Sequence, residues 1–240
     1  MIRLHEANSD WWGRPVGIVT SPEFFRADAA ARTAALQPYD WAEFKTPLND
    51  APSSLELCAC GFALADIQIN FRIALPAVAD TPSLARYQCV AAQPFAESPN
   101  VRAFGYERFR LLPGVTTELL DARYAAWANA LITAHPEWCL QLMLNGRTQG
   151  WFLAQPDGGA LRLTLGMLSA DAVASGAHLY QAALREFATR GAKIGHAAFS
   201  ASNTPVLNIY ARLGAVFTPP TGVWLWVSPR AASGPLRRPA

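Results

Sequence analysis

Asn145-Gly146 stands between two apolar runs, Trp138 to Leu144 and Gln149 to Ala154. Both turn residues tolerate positive φ, so the pair predicts a two-residue hairpin with antiparallel arms. Asp157-Gly158-Gly159 repeats the signal and feeds a third run, Leu161 to Leu168, which extends the hairpin into a meander. Ahead of it, Leu120, Tyr124, Trp127 and Leu131 fall on one helical face, predicting an amphipathic helix over 117–133. Beyond it, Ser175 to Ala188 reads as a helix ended by Gly191, Ile194 to Ser200 as a strand, Asn203 to Leu213 as a helix ended by Gly214, and Val223 to Val227 as a last strand. The second half therefore runs helix, meander, helix, strand, helix, strand.

The first third carries a different rhythm. Val16 to Thr20 is a short β-branched run, and the Ala-rich segment from Arg26 to Leu36 is helix-prone and closed by Pro38. Trp41 to Lys45 predicts a strand, and Pro52 and Ser53 start a helix that Gly61 can end. Residues 65–75 alternate polar and apolar side chains, the pattern of a half-buried strand. From Pro76 the periodicity weakens and prolines recur at 82, 94, 99 and 113. The expected division is an α/β N-terminal half over 1–98, a linker over 99–116, a second domain over 117–228, and a flexible basic tail over 229–240.

Among 240 residues 51% are apolar and 16% charged, enough apolar surface to offset chain entropy, so global disorder is excluded. Twenty basic and 18 acidic residues lie spread along the chain, which disfavours nucleic acid as a partner. No apolar leader and no 18-residue apolar run occur, so a cytoplasmic protein without membrane insertion is expected. Cys58, Cys60, Cys89 and Cys139 lack C-x-x-C spacing and nearby histidines, so neither a metal site nor a disulfide framework is expected. No G-x-S-x-G elbow and no G-x-G-x-x-G after a strand support a hydrolase or an oxidoreductase.

The text SASNTPVLNIYARLGAVF at 200–217 follows a strand with an Asn opening a helix, a Tyr seven residues on and a Leu-Gly exit. In this order of elements it resembles the GNAT N-acetyltransferase superfamily, with Asn203, Tyr210, Leu213 and Gly214 in the family's places and Ala215 where Phe is usual. Ser9-Asp10-Trp11-Trp12-Gly13 ahead of Val16-Gly17 is similar to the opening of two-part dTDP-sugar amine acetyltransferases. The resemblance implies an α/β fold with a mixed, mostly antiparallel sheet flanked by helices, preceded by a smaller α/β half. It implies an N-acyltransferase of the class that moves acyl groups other than aminoacyl, with acetyl-CoA as acyl donor and a small-molecule amine, first an amino sugar, as acceptor. Two alternatives stay open: a non-catalytic acyl-CoA-binding or regulatory module, and an acyltransferase fed by an acyl carrier protein.

The resemblance also assigns places. The backbone at Leu168 and Ala170 would polarise the thioester carbonyl, and Ala174, Ser175, Gly176 and Ala177 would cradle the pyrophosphate at a helix start. Asn203 would touch the donor arm, and Tyr210 would protonate the departing thiolate; the competing readings are a helix cap and a core tyrosine. The loop departs from the family's Q/R-x-x-G-x-G/A, with Ala174 in place of the first glycine and Asp171 where Gln or Arg is usual. Glycine permits close backbone approach and a carboxylate opposes a bound anion, so weakened donor binding is expected. No general base stands out among His178, His196, Glu118, Asp121, Glu137 and Asp171. The tryptophans, including Trp224 and Trp226, read as core rather than as an acceptor pocket.

Overall fold

The computed structural model describes residues 1–50, 52–81, 84–102 and 105–233. Positions 234–240 of the expected basic tail, with Arg237 and Arg238, lie outside the described residues. In chain order the elements are β1 (Ile2–Leu4), α1 (Glu6–Trp12), β2 (Val16–Val19), α2 (Glu23–Arg26), α3 (Ala29–Leu36), β3 (Trp41–Pro47), α4 (Ser54–Ala59), β4 (Ala63–Ala74) and β5 (Tyr87–Ala91). They continue with α5 (Thr117–Ala134), β6 (Cys139–Leu144), β7 (Arg147–Asp157), β8 (Ala160–Leu168), α6 (Gly176–Thr189), β9 (Ile194–Ser200), α7 (Thr204–Arg212) and β10 (Val216–Val227). The architecture is α/β with mixed, mostly antiparallel pairing and flanking helices.

The chain forms two compact units, and neither is contiguous. Unit 1 takes 1–69, 106–120 and 219–240; unit 2 takes 70–105 and 121–218. The boundary expected near Ser98 falls inside unit 2, and residues 106–116 of the expected linker belong to unit 1.

In unit 1, β2 runs parallel to β3, with α2 and α3 as the crossover, and β3 pairs antiparallel with β10 from Trp41↔Val227 to Pro47↔Thr221. Side chains alternate across these strands, so one face buries Phe24, Phe25, Phe44, Phe62 and Trp224 and the other Trp12, Trp41, Phe109, Leu112 and Leu225. Trp224 and Leu225 thus enter different clusters, as alternation requires. Ser53 and Glu56 form a capping box that opens α4. β1 and α1 have no counterpart in the sequence reading; α1 opens on His5, whose side chain accepts the Asn8 N–H, and closes on Gly13 in the left-handed region.

In unit 2, β8 lies between β9 and β7, and β6 and β5 continue outward. Asn145 and Gly146 have φ of 50° and 74°, and Leu144↔Arg147 is the last rung of the hairpin they close. α6 presses Leu179, Ala183, Leu184 and Phe187 onto one face of these strands, with Leu140, Phe152, Leu161 and Leu163. On the other face Ala128, Leu131 and Ile132 of α5 meet Leu153, Leu165 and Met167. Leu163 and Leu165, two residues apart, therefore bury on opposite faces. The cause is a β-bulge: Ala154 pairs with Leu163 and Leu153 with Leu165, which leaves Thr164 extra and reverses the alternation.

Candidate functional site

The bulge sits where β8 leaves β9. These parallel strands share two rungs, Leu161↔Gly195 and Arg162↔His196, and from Leu163 onward β8 continues without a partner on β9. A bulge bends its strand and raises its twist, so the extra residue at Thr164 accounts for the divergence. A splay opens between the C-terminal ends of β8 and β9, and the backbone of β8 on that side has no ladder partner on β9.

At its far end this edge is engaged by another part of the chain. Ser169 N–H donates to Gln149 O on the β7 side at 3.0 Å. Successive residues of an extended chain point their backbone groups to opposite sides, so Leu168 C=O and Ala170 N–H face the splay. Arg102 N–H donates to Leu168 O and Ala170 N–H to Asn100 O, both at 3.0 Å, around an antiparallel bridge between Val101 and Ser169. The Arg102 guanidinium also donates to Ala172 O at 2.9 Å.

The loop that follows is held from beneath. Gln149, only 2% exposed, accepts the N–H groups of both Val173 and Ala174 on its side-chain oxygen at 3.0 Å. Its amide nitrogen donates to Arg147 O at 3.2 Å. One buried carboxamide thus takes up two of the loop amides. A polar residue at the head of the otherwise apolar run 149–154 is its sequence signal, and reading that run as apolar throughout passes over it.

Ser175 caps α6, its hydroxyl accepting His178 N–H at 3.4 Å. Gly176 and Ala177 form the first turn of α6, where helix amides have no intrahelical partner and favour anions. A Cβ at Gly176 would stand 3.2 Å from Ile209 Cδ1, so α7 packs closely here. Asn203 caps α7 by accepting Val206 N–H at 3.3 Å, with Pro205 in the first turn. Asp171 lies exposed on the loop, and its N–H donates to Ser169 Oγ at 3.4 Å.

Tyr210 of α7 is 3% exposed. Its ring stacks on Phe199 of β9 with centroids 6.0 Å apart, lies tilted over Phe71 of β4 at 4.0 Å, and meets Tyr180 of α6 edge-on at 5.2 Å. Burial raises the Tyr210 phenol well above 10, and the neighbouring Tyr180 adds to the rise. Burial alone pushes Tyr180 up to about 12. The Tyr180 hydroxyl end covers Gly166 of β8, where a Cβ would come within 2.9 Å of that oxygen. Two protonated phenols therefore flank the splay, one of them unremarked in the sequence.

His178 stacks on Tyr87 with its Nδ1 3.1 Å from Ser175 Oγ, and His196 Nε2 pairs with Asp157 at 3.2 Å. Glu118, Glu137 and Asp171 are exposed and Asp121 is half-buried. Among the described residues no group of three or more His, Cys, Asp or Glu is placed to hold a metal, and no helix is long and apolar enough to cross a membrane.

With this geometry in view, the likeness to known proteins is one of fold. No family model and no curated protein sequence matches the chain. Solved structures do: a GCN5-related N-acetyltransferase from Sphaerobacter thermophilus superposes with TM-score 0.60 at 14% identity, over 94% of this chain and 76% of that one. A tandem GNAT protein of the clavulanic acid biosynthesis pathway follows at 0.51 and 15% identity, covering 94% and 77%. A glucosamine N-acetyltransferase region in a fungal multi-domain β-N-acetylglucosaminidase gives 0.60 at 9% identity, covering 89% of this chain and 30% of that one. The chain has the fold of the GCN5-related N-acetyltransferases.

Proposed function

We propose that the chain is an acetyl-CoA-dependent N-acetyltransferase acting on a small-molecule amine. The observation that carries the reading is the splay of β8 from β9 after two rungs, beside the buried phenol of Tyr210. Such a gap offers a strand edge to the amide-bearing arm of an acyl thioester. Ala170 N–H is the donor assigned to the thioester oxygen, which gains charge as the amine attacks; preorganised N–H groups stabilise such charge. Leu168 C=O is assigned to an amide of the donor arm, and the first-turn amides of α6 at Gly176 and Ala177, with the cap Ser175 before them, to the diphosphate, while the Ala174 N–H is already held by Gln149. Asn203 holds the start of α7 and is the candidate contact to the arm.

Tyr210 is the candidate acid. Its raised pKa keeps the proton on the phenol throughout the neutral range, so it is available to the sulfur as charge develops there. The same rise makes complete transfer less favourable, so the phenol acts mainly as a hydrogen-bond donor to the leaving thiolate. An amino sugar is the first acceptor to try, supported by the opening around Asp10 to Gly17 and by the glucosamine N-acetyltransferase region that shares this fold.

The engagement of the Val173 and Ala174 amides by Gln149 favours a second reading. In it the splay takes an acyl arm without a tightly held nucleotide, either as a binding module or on a carrier protein. A transfer assay separates the two. Acetyl-CoA with a panel of amines including glucosamine and other amino sugars should release free thiol in step with acetylated product. Donor binding by calorimetry without thiol release from any amine would leave the binding module, and transfer from an acetylated carrier protein but not from acetyl-CoA would identify the carrier.

A further inference from the structure

We propose that Asn100–Arg102 is a built-in strap that occupies the donor edge of β8 and must leave before an acyl donor binds. The proposal rests on the acyltransferase reading above and adds a regulatory step to it. Among the described residues three hydrogen bonds hold the strap: Arg102 N–H to Leu168 O, Ala170 N–H to Asn100 O, and the Arg102 guanidinium to Ala172 O. The first two use the backbone groups of β8 that face the splay. A pantetheine arm contains two secondary amides, each with one N–H and one C=O, and so meets a strand edge as a peptide does. Asn100 C=O and Arg102 N–H already supply that acceptor and donor. An edge accepts one neighbour about 4.8 Å away, so strap and arm exclude each other.

The strap is built to be released rather than to be permanent. Among the described residues it meets the end of β8 through the single bridge Val101↔Ser169, and Pro99 precedes it. Val101 is its apolar anchor, packed at the margin of the cluster around Leu165 and Met167, while Arg102 is exposed. Segments with few buried apolar contacts and solvent-exposed hydrogen bonds open at low cost compared with the core. A donor that binds only the open form sees its affinity reduced by the open fraction: if about one molecule in ten is open, the apparent dissociation constant rises about tenfold.

Arg102→Pro removes the N–H and the guanidinium together at an exposed position, and Arg102→Ala removes the guanidinium alone. The test titrates acetyl-CoA, S-acetylpantetheine and 3′,5′-ADP into the full chain and both variants by calorimetry. Arg102→Pro should tighten acetyl-CoA and S-acetylpantetheine alike, by about tenfold if the open fraction is as above, and Arg102→Ala by a smaller factor. Binding of 3′,5′-ADP, which lacks the arm, should not change. In the unsubstituted chain, saturating acetyl-CoA should accelerate hydrogen exchange at Arg102 N–H while Ala170 N–H stays protected. Equal donor affinity in all three chains with unchanged exchange at Arg102 overturns the strap and leaves the donor reading standing. A gain for 3′,5′-ADP matching that for acetyl-CoA also overturns it, since the effect would then belong to the guanidinium and not to the edge. No donor binding in any of the three removes the donor reading, and the strap with it.

Discussion

Arg108 Nε donates to Glu43 Oε2 at 2.8 Å, and Lys45 approaches the other carboxylate oxygen at 3.4 Å. Glu43 is buried on β3. Burial pushes its pKa up, but Arg108 and then Lys45 outweigh burial and hold the carboxyl below its usual range. The folded value is depressed, so the contribution to stability is present above the unfolded pKa and is lost as pH falls through the folded one. Urea melts from pH 7 downward should show this loss beginning near the ordinary Glu value of about 4.3 and continuing below it. Arg108→Leu, which leaves the buried carboxylate to the exposed Lys45, should cost about 3 kcal/mol, and Glu43→Leu combined with Arg108→Leu should recover much of it. A loss under about 1 kcal/mol would place the pair among weak surface bridges.

Tyr210→Phe keeps the ring that Phe71, Phe199 and Tyr180 surround and removes only the hydroxyl. Turnover with the true acceptor should fall by about 10² or more, while donor affinity and melting temperature stay close to those of the parent. Because the phenol titrates well above 10, it should add no basic limb to the pH–rate profile across the neutral range. Unchanged turnover returns Tyr210 to the core.

Asp171 is exposed on the loop before α6, and Ser175 rather than Asp171 caps that helix. Asp171→Gln should therefore leave the melting temperature unchanged. If the loop faces the donor's diphosphate, the substitution should tighten acetyl-CoA at low salt, and the gain should shrink as salt screens the charge. Equal affinity for both chains at low salt would remove the diphosphate from this loop.

Gly150 lies on β7 opposite Leu168, and a Cβ there would collide with the Met167 carbonyl oxygen. Because the obstacle is backbone, no side chain can swing aside. Gly150→Ala should cost about 1–3 kcal/mol in a denaturant melt and loosen the edge carrying Leu168 and Ala170. An unperturbed melt would mean that the two strands move apart freely.

Much of the second half is legible because its signals are local. Asn145-Gly146 needs only its own φ angles, Asn203 and Ser175 cap the helices they precede, and the helix expected over 117–133 forms, although Trp127 of its expected apolar stripe is exposed and Ala128 and Ile132 are buried beside Leu131 instead. What escapes is set by distant partners. Leu161, Leu163, Leu165 and Met167 recur at every second position, so residues 161–168 read as one regular strand with a single apolar face. The pairing with β7 instead inserts a bulge at Thr164 and sends Leu165 and Met167 to the other side. Gln149 and Arg102 acquire their roles from the loop at 172–174, far away in the chain; the polarity of Gln149 beside the apolar residues 150–154 is a hint, and nothing around Arg102 gives one. A boundary near Ser98 follows the fading of periodicity, whereas unit 1 gathers three separate stretches.

That gathering bears on the order in which the chain folds as it is made. β3 finds its antiparallel partner in residues 221–227, so the N-terminal unit waits, incomplete, until nearly all of the described chain has been translated. Unit 2 draws on nothing beyond Thr218 and has its residues assembled sooner. Domains made on the ribosome generally fold N-terminal first, but here Phe44 meets its cross-strand partner Trp224 only once residues 221–227 have been added.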